Sequence, residues 1–430
     1  MEKRRNPATL LAIGLALAAI FANSHPIFSA DDSLDPVGHF EPAAVYHVSG
    51  QVAEIVAATP DGMTLVYTDS AQQEIGFVDI SDPSAPAEIG KTPVGGEPTS
   101  VAVTPDGQWA LAVVHGAPDQ LLVINASTRV VDTAIMLGGQ PDSIAVSPDG
   151  RYAAIAVENE RDETVNGGRM PQSPAGFVTI VDIIGAPAAW QTRDVPLAGL
   201  PGARFPTDPE PEFVDIDPTN RAAVTLQENN YVVVIDLPSG DVIENWSAGT
   251  VTHAADLIKD GVVSFTDVLS NAPREPDGIA WTPNGRLVTS NEGDYAVDLL
   301  PGQFVGGRGF TIFSAGGDAL FDPGADLEME AARQAVYDDN RSDKKGCEIE
   351  GAEVGIYHNH TYIFVGSERC NFVAVYRING DSISPKFIQL LKTGAAPEGL
   401  VAIGQRALFV SANEGDGTIS IFVGRPGNPN

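Results

Sequence analysis

Hydrophobic positions in this chain come in short bursts. Ile279–Trp281 and Leu287–Thr289 are typical: two apolar runs split by the tight turn Pro283-Asn284-Gly285. Runs this short, bounded by Gly, Pro, Asn and Asp, predict strands, and two of them joined by such a turn predict a β-hairpin. An acid stands at each free end, Asp277 before the first run and Glu292 after the second. Antiparallel pairing brings those ends together, opposite the turn.

The unit recurs. Its turns read Thr59-Pro60-Asp61-Gly62, Thr104-Pro105-Asp106-Gly107, Ser147-Pro148-Asp149-Gly150, Asp217-Pro218-Thr219-Asn220 and Pro283-Asn284-Gly285. A looser turn is expected at His358-Asn359-His360, and a last one at Gly404. A third strand follows each hairpin: Ile75–Ile80, Gln120–Asn125, Phe177–Asp182, Tyr231–Asp236, Phe310–Phe313, Phe372–Ile378 and Thr418–Val423. Fourth strands show in most copies, for example Thr133–Leu137 and Phe387–Leu391. Seven copies of about four strands predict an all-β fold, a seven-bladed β-propeller of four-stranded blades. The last copy ends after its third strand, while Ala43–Val48 is a spare strand ahead of the first. It is expected to complete the last blade and close the ring, which removes an open edge. The propeller then occupies 43–430 as one domain, with inserted loops at 161–175, 186–209, 245–274, 295–309 and 315–346. The last of these carries a predicted helix, Asp326 to Val336.

Composition fits many short strands and turns, with 44 Gly and 32 Pro. Charge changes the picture. The 57 acids against 25 Lys and Arg give a net charge of -32, which disfavours nucleic acid and anionic membranes and suits cations. At the N-terminus Lys3, Arg4 and Arg5 precede an apolar run, Leu10 to Phe21, and then small residues. That pattern reads as a signal peptide over 1–30, cleaved after Ser24 or Ala30, with a polar lead over 31–42. No other stretch is long enough to span a membrane. An exported monomer is expected, periplasmic or secreted and surface-associated, with no membrane span in the mature chain. The two cysteines, Cys347 and Cys370, fall at the acidic end of the sixth hairpin, which predicts a disulfide pinning the 315–346 insertion there.

Aligning the repeat on its turns lines the acids up as well. Glu54, Asp142, Glu212, Asp277, Glu350 and Glu398 precede the first strands, with Thr99 at the remaining position. Asp69, Glu158, Glu228, Glu292, Glu368 and Glu414 end the second strands, with His115 at the remaining position. In a propeller the first strands line the central channel, so these residues predict two rings of carboxylates on one face. So many acids around one axis require neutralisation, by divalent cations, basic partners, protonation or backbone amides. Arg161, Arg274, Lys345 and Arg369 are the candidate partners. Oxygen-only ligands favour a divalent cation such as Ca²⁺ over zinc or copper. The alternative is that the acids cap backbone N–H groups at blade junctions. No CxxCH haem motif, phosphate-binding loop, dinucleotide fingerprint, HExxH or GxSxG is present, so neither haem nor nucleotide is expected. His253 stands alone, and His358 with His360 lies at the end opposite the acids.

The strings EPEF at 210–213, TLQENNYVVVIDL at 225–237, SNEGD at 290–294, RSDKKGCEIEG at 341–351, YIFVGSERCNFVAVY at 362–376 and PEGL at 397–400 together resemble the choice-of-anchor I family of exported propellers. That family is similar to mesenchyme-specific cell-surface glycoproteins linked to biomineralisation, and some members are joined to phosphoesterase domains. The resemblance implies a propeller fold and export, and points toward calcium or phosphate. Cys347 and Ile349 stand where the family tends to have prolines, and Arg425 to Asn430 does not read as an anchor.

Two functions follow as expectations. One is a non-enzymatic binding or scaffold propeller for a cell-surface or extracellular partner, with divalent cations on its acidic face. The other is a metal-dependent hydrolase, phosphoesterase-like or lactonase-like, on the same face. There Glu292, Glu350 or Glu368 would serve as ligand or base, and Lys345 and Arg369 would bind the anion.

Overall fold

The computed structural model describes residues 36–50, 52–162, 164–293 and 304–427. Seven four-stranded antiparallel sheets form the blades, at 56–93, 97–136, 141–196, 211–247, 276–321, 349–392 and 397–426. The first strands of successive blades lie against one another all the way round. Pro397–Ile403 of blade seven meets Val56–Ala58 of blade one, so the ring is closed. The fourth strand of blade seven is Val37–His47, paired antiparallel with Thr418–Pro426. It begins earlier than Ala43, within the stretch read as a polar lead. The expected signal peptide and residues 295–303 of one insertion lie outside the described residues.

Position in the blade explains the hydrophobic pattern. Second and third strands are packed between neighbouring blades on both faces, so Tyr152–Val157 and Tyr231–Asp236 read as nearly unbroken apolar runs. Fourth strands lie at the rim and alternate exposed with half-buried residues, as Val130–Met136 does. The hairpin turns repeat one chemistry. Thr59 Oγ1 donates to Asp61 Oδ1 (2.6 Å), the Met63 amide donates to the same oxygen (2.9 Å), and Gly62 takes φ +69°. Blade four puts Asn220 at the left-handed position, with φ 64°. The His358-Asn359 turn is tighter than expected. Tyr357 pairs with His360 and both central residues have positive φ, the geometry of a two-residue hairpin.

Several predicted loops contain structure. Residues 186–209 include the fourth strand of blade three, Gln191–Pro196. Residues 245–274 begin inside a fourth strand, Asp241–Ser247, and go on to an extra hairpin, Thr250–Ala255 with Asp267–Pro273. Residues 315–346 hold the short strand Ala319–Phe321 and the one α-helix among the described residues, Asp326–Arg333. None of the described helices is long and apolar enough to cross a membrane.

Candidate functional site: the acidic channel mouth

A recurring break in pairing aims the leading acids. In blade three Pro141 pairs with Val157 and the next pair is Ile144 with Ile155, so the first strand carries an extra residue at Asp142-Ser143. The same bulge falls at Glu212-Phe213, Asp277-Gly278, Glu350-Gly351 and Glu398-Gly399. A bulge re-aims one side chain and re-twists the strand, and here it recurs at the leading acid of blades three to seven. The backbone at that point is clipped to the preceding blade. Thr99 Oγ1 donates to the Pro141 carbonyl (3.0 Å), Ser143 Oγ to that of Glu212 (2.5 Å) and Thr225 Oγ1 to that of Asp277 (2.5 Å). Ser290 Oγ donates to the Glu350 carbonyl, and the Gly399 amide to that of Glu54 (2.9 Å). A Cβ on Gly399 would lie 2.4 Å from the Glu54 oxygen, so this close approach requires glycine.

The mouth holds two cavities that share Asp142, Glu212, Glu350 and Glu398 in their walls. One, of about 580 Å³, is lined by Asp142, Glu158, Glu212 and Glu228 with Arg161 and His115. The other, of about 320 Å³, is lined by Asp277, Glu292, Glu350 and Glu368 with Lys345 and Arg369. Carboxylate oxygens of Asp142, Glu158 and Glu212 come within 4.8 Å of one another. So do those of Asp277, Glu292 and Glu350, and those of Glu292, Glu348 and Glu368. Burial holds the carboxyls of Glu158, Glu212, Asp277, Glu350 and Glu398 well above the usual carboxylate range, and neighbouring carboxylates push the same way. Burial moves Glu54 and Asp142 to about 7. Glu368 also rises to about 7, although Arg369 opposes the shift.

The placement of the second ring differs from its sequence alignment in two blades. Asp69 is the last paired residue of its strand, opposite Glu74. The channel position of blade one belongs to Ser70, whose hydroxyl donates to Glu54. Asp69 faces Lys91 instead, at 3.6 Å. In blade four the last pair is Leu226 with Tyr231, which gives Gln227 the position equivalent to Glu292. Gln227 Nε2 donates to Glu292 Oε2 (2.5 Å), and Glu228, one residue on, still lines the larger cavity. Glu414 is exposed at its turn.

A third ring escaped the sequence reading. Glu97, Glu210, Glu275 and Glu348 stand two positions ahead of the leading residue, and three of them are marked by a Glu-Pro pair. Three of the four are almost fully buried, and arginines from the insertions hold them. Arg161 reaches Glu210 (3.2 Å) and Glu228 (3.4 Å), and Arg204 pairs with Glu275. Arg341 and Arg369 both pair with Glu348. Arg369 also bonds Glu368 (2.7 Å), and Lys345 Nζ lies 2.7 Å from Glu292 Oε1. Of the four candidate partners, Arg274 turns away to Asp322 and the Ala248 carbonyl. Among the described residues no Lys or Arg forms an ion pair with Asp142, Glu158, Glu212, Asp277, Glu350 or Glu398.

The 315–346 insertion is locked where it delivers Lys345. Cys347 and Cys370 form a disulfide. Arg308, fully buried, donates to the carbonyls of Asp256, Ser342 and Lys344, and Glu328 accepts from the Cys347 amide (2.9 Å). His253 lies in the extra hairpin against the Ala254 and Gly307 carbonyls, away from the mouth.

The choice-of-anchor I domain model matches residues 54–300 and 302–381. The chain belongs to the choice-of-anchor I family. The matched residues run from the leading acid of blade one through the third strand of blade six. No curated protein matches this family member. Among solved structures it is similar to Kuenenia stuttgartiensis hydrazine synthase, at 16% identity and TM-score 0.60, over 89% of this chain and 98% of that one. It is also similar to the β-propeller domain of Myceliophteria thermophila Cps50 (Swd1), at 9% identity and TM-score 0.57, over 90% and 100%. At such identities the likeness is one of propeller fold alone.

Proposed function

We propose that this choice-of-anchor I protein is an exported binding propeller whose acidic channel mouth takes up a hard divalent cation, calcium first, and performs no chemistry of its own. One observation carries the reading: the oxygens of Asp142, Glu158 and Glu212 converge within 4.8 Å, with no basic side chain paired to them among the described residues. Buried carboxylates in such a group must either bind protons or bind a cation. A set of oxygens completed by water suits Ca²⁺ or Mg²⁺. Export is supported by the family and by the signal-like N-terminus. A phosphoester or lactone hydrolase would need Lys345 or Arg369 turned toward an anion, whereas both are engaged by Glu292, Glu348 and Glu368.

The test is metal analysis of the purified full chain, with melting in Ca²⁺ and in EDTA. A bound ion at a hundred times its Kd raises stability by about 2.7 kcal/mol. Absence of metal together with identical melting in both conditions would overturn the proposal.

A further inference from the structure

Two of the carboxylate clusters are the same construction in different blades. Each combines a leading acid, the acid closing that blade's second strand, and the leading acid of the next blade: Asp142, Glu158 and Glu212 in one, Asp277, Glu292 and Glu350 in the other. Their middle residues meet different company. Glu292 receives Lys345 on Oε1 and Gln227 on Oε2. Glu158 is 8% exposed and has neither a hydrogen bond nor an ion pair from its side chain among the described residues, and its carboxylate is directed at Asp142 and Glu212. His115, at the place equivalent to Gln227, bonds Asp119 instead (2.8 Å). Arg161, the cation of that side, is held by Glu210 and Glu228.

We propose that Asp142–Glu158–Glu212 is the exchangeable divalent-cation site, and that the Lys345 ammonium is a built-in counter-ion filling the equivalent blade-five site, so that the mouth takes one ion rather than two. This rests on the cation-binding reading above and adds a location and a count. A buried carboxylate keeps its charge only beside a compensating one. In blade five the protein supplies it, on an arm fixed by Arg308, Glu328 and the disulfide. In blade three the three converging carboxylates leave that charge to a solute, and their oxygens select a hard cation.

The experiment titrates Ca²⁺ into the chelator-stripped full chain by calorimetry, with bound metal counted after dialysis. Wild type is expected to bind one ion. Glu158→Gln should weaken it by about tenfold or more, since ligand charge tunes affinity, and Asp142→Asn should do the same. Lys345→Met should bind two ions, and Lys345→Met with Glu292→Gln should return to one. Each variant is first checked for a wild-type circular dichroism spectrum; Lys345→Gln substitutes for Lys345→Met if that fails. Wild-type affinity in Glu158→Gln with loss in Glu292→Gln would overturn the location while leaving cation binding intact. A single ion in Lys345→Met would overturn the counter-ion role. No ion in wild type would overturn both readings.

Discussion

The two sides of the channel mouth start from one repeat and end in different electrostatic states. Around blades five and six, Lys345, Arg341 and Arg369 stand among Asp277, Glu292, Glu348, Glu350 and Glu368. Around blades three and four, Arg161 stands near Asp142, Glu158, Glu210, Glu212 and Glu228. The strands do not account for this by themselves: bulge and pairing are the same in both, and the acid positions differ only at Gln227. The insertions do: Arg161, Arg204, Arg341 and Lys345 all lie in them. A repeat therefore sets where charge must be compensated, and the loops decide where the chain itself supplies the compensation.

The strongest way to break this comparison is to remove the counter-charge on each side. Arg161→Met takes the guanidinium away from Glu210, which is 1% exposed at its side chain, and from Glu228, at 11%. Stripping one member of a buried pair costs on the order of 3–5 kcal/mol. Arg369→Met should cost less, about 1–2 kcal/mol, because Arg369 is 46% exposed and Arg341 remains on Glu348, while Glu368, 9% exposed at its side chain, loses its pair with Arg369. Urea unfolding of the two variants at pH 7 measures the difference, and equal losses would mean that the sides are balanced alike.

Removal of the disulfide comes next. Cys347→Ser with Cys370→Ser frees the arm that positions Lys345. The chain-entropy model gives about 3 kcal/mol for a loop of this size. Denaturant unfolding measures the loss, and calcium titration of the same variant measures whether the blade-five carboxylates become available.

A pH series sharpens the comparison at lower cost. Glu54 and Asp142 titrate near 7 in the folded protein, against 4.5 and 3.8 when unperturbed. A carboxyl raised on folding contributes stability that is fully present below its unfolded pKa and is lost as pH rises through the folded value. Without metal, melting temperature should therefore fall as pH rises from about 4 to about 7. Asp142→Asn should flatten the curve, and Ca²⁺ should do so in wild type. A curve that rises over this window would show that ion-paired acids dominate instead.

Much of this was readable in the chain. Alternating runs and repeated turns lead to seven blades, and the missing last strand leads to closure by the N-terminal one. The leading acids line up once the copies are aligned on their turns, and four of the six follow a proline that opens the first strand. The second ring was harder. Strand ends carry no period of their own, and a shift of one residue reverses which face a side chain meets. Hence alignment points to Asp69 where the register gives Ser70. The third ring was signalled by Glu-Pro at 97, 210 and 275, but its burial depends on arginines that are distant in sequence. Loop structure at 186–209 and 245–274 was missed because fourth strands lie at the rim, where polar residues weaken the pattern.

That one-residue shift makes the smallest and most discriminating prediction. By alignment Asp69 belongs to the acidic rings and would face the channel. By register it faces Lys91 and lies outside the channel. Its Oδ1 accepts from the Gln72 amide (3.0 Å), a bond that asparagine keeps. Burial raises its carboxyl above the ordinary range, so a neutral side chain relieves part of a desolvation cost while forfeiting the Lys91 pair. The two effects oppose, and the net change should stay within about 1 kcal/mol. Calcium affinity should be unchanged within about twofold. Ser70→Ala, one residue on, instead removes the hydroxyl that donates to Glu54 and should raise that carboxyl further. If Asp69→Asn moved calcium binding and Ser70→Ala left the Glu54 titration alone, the register of blade one would be wrong.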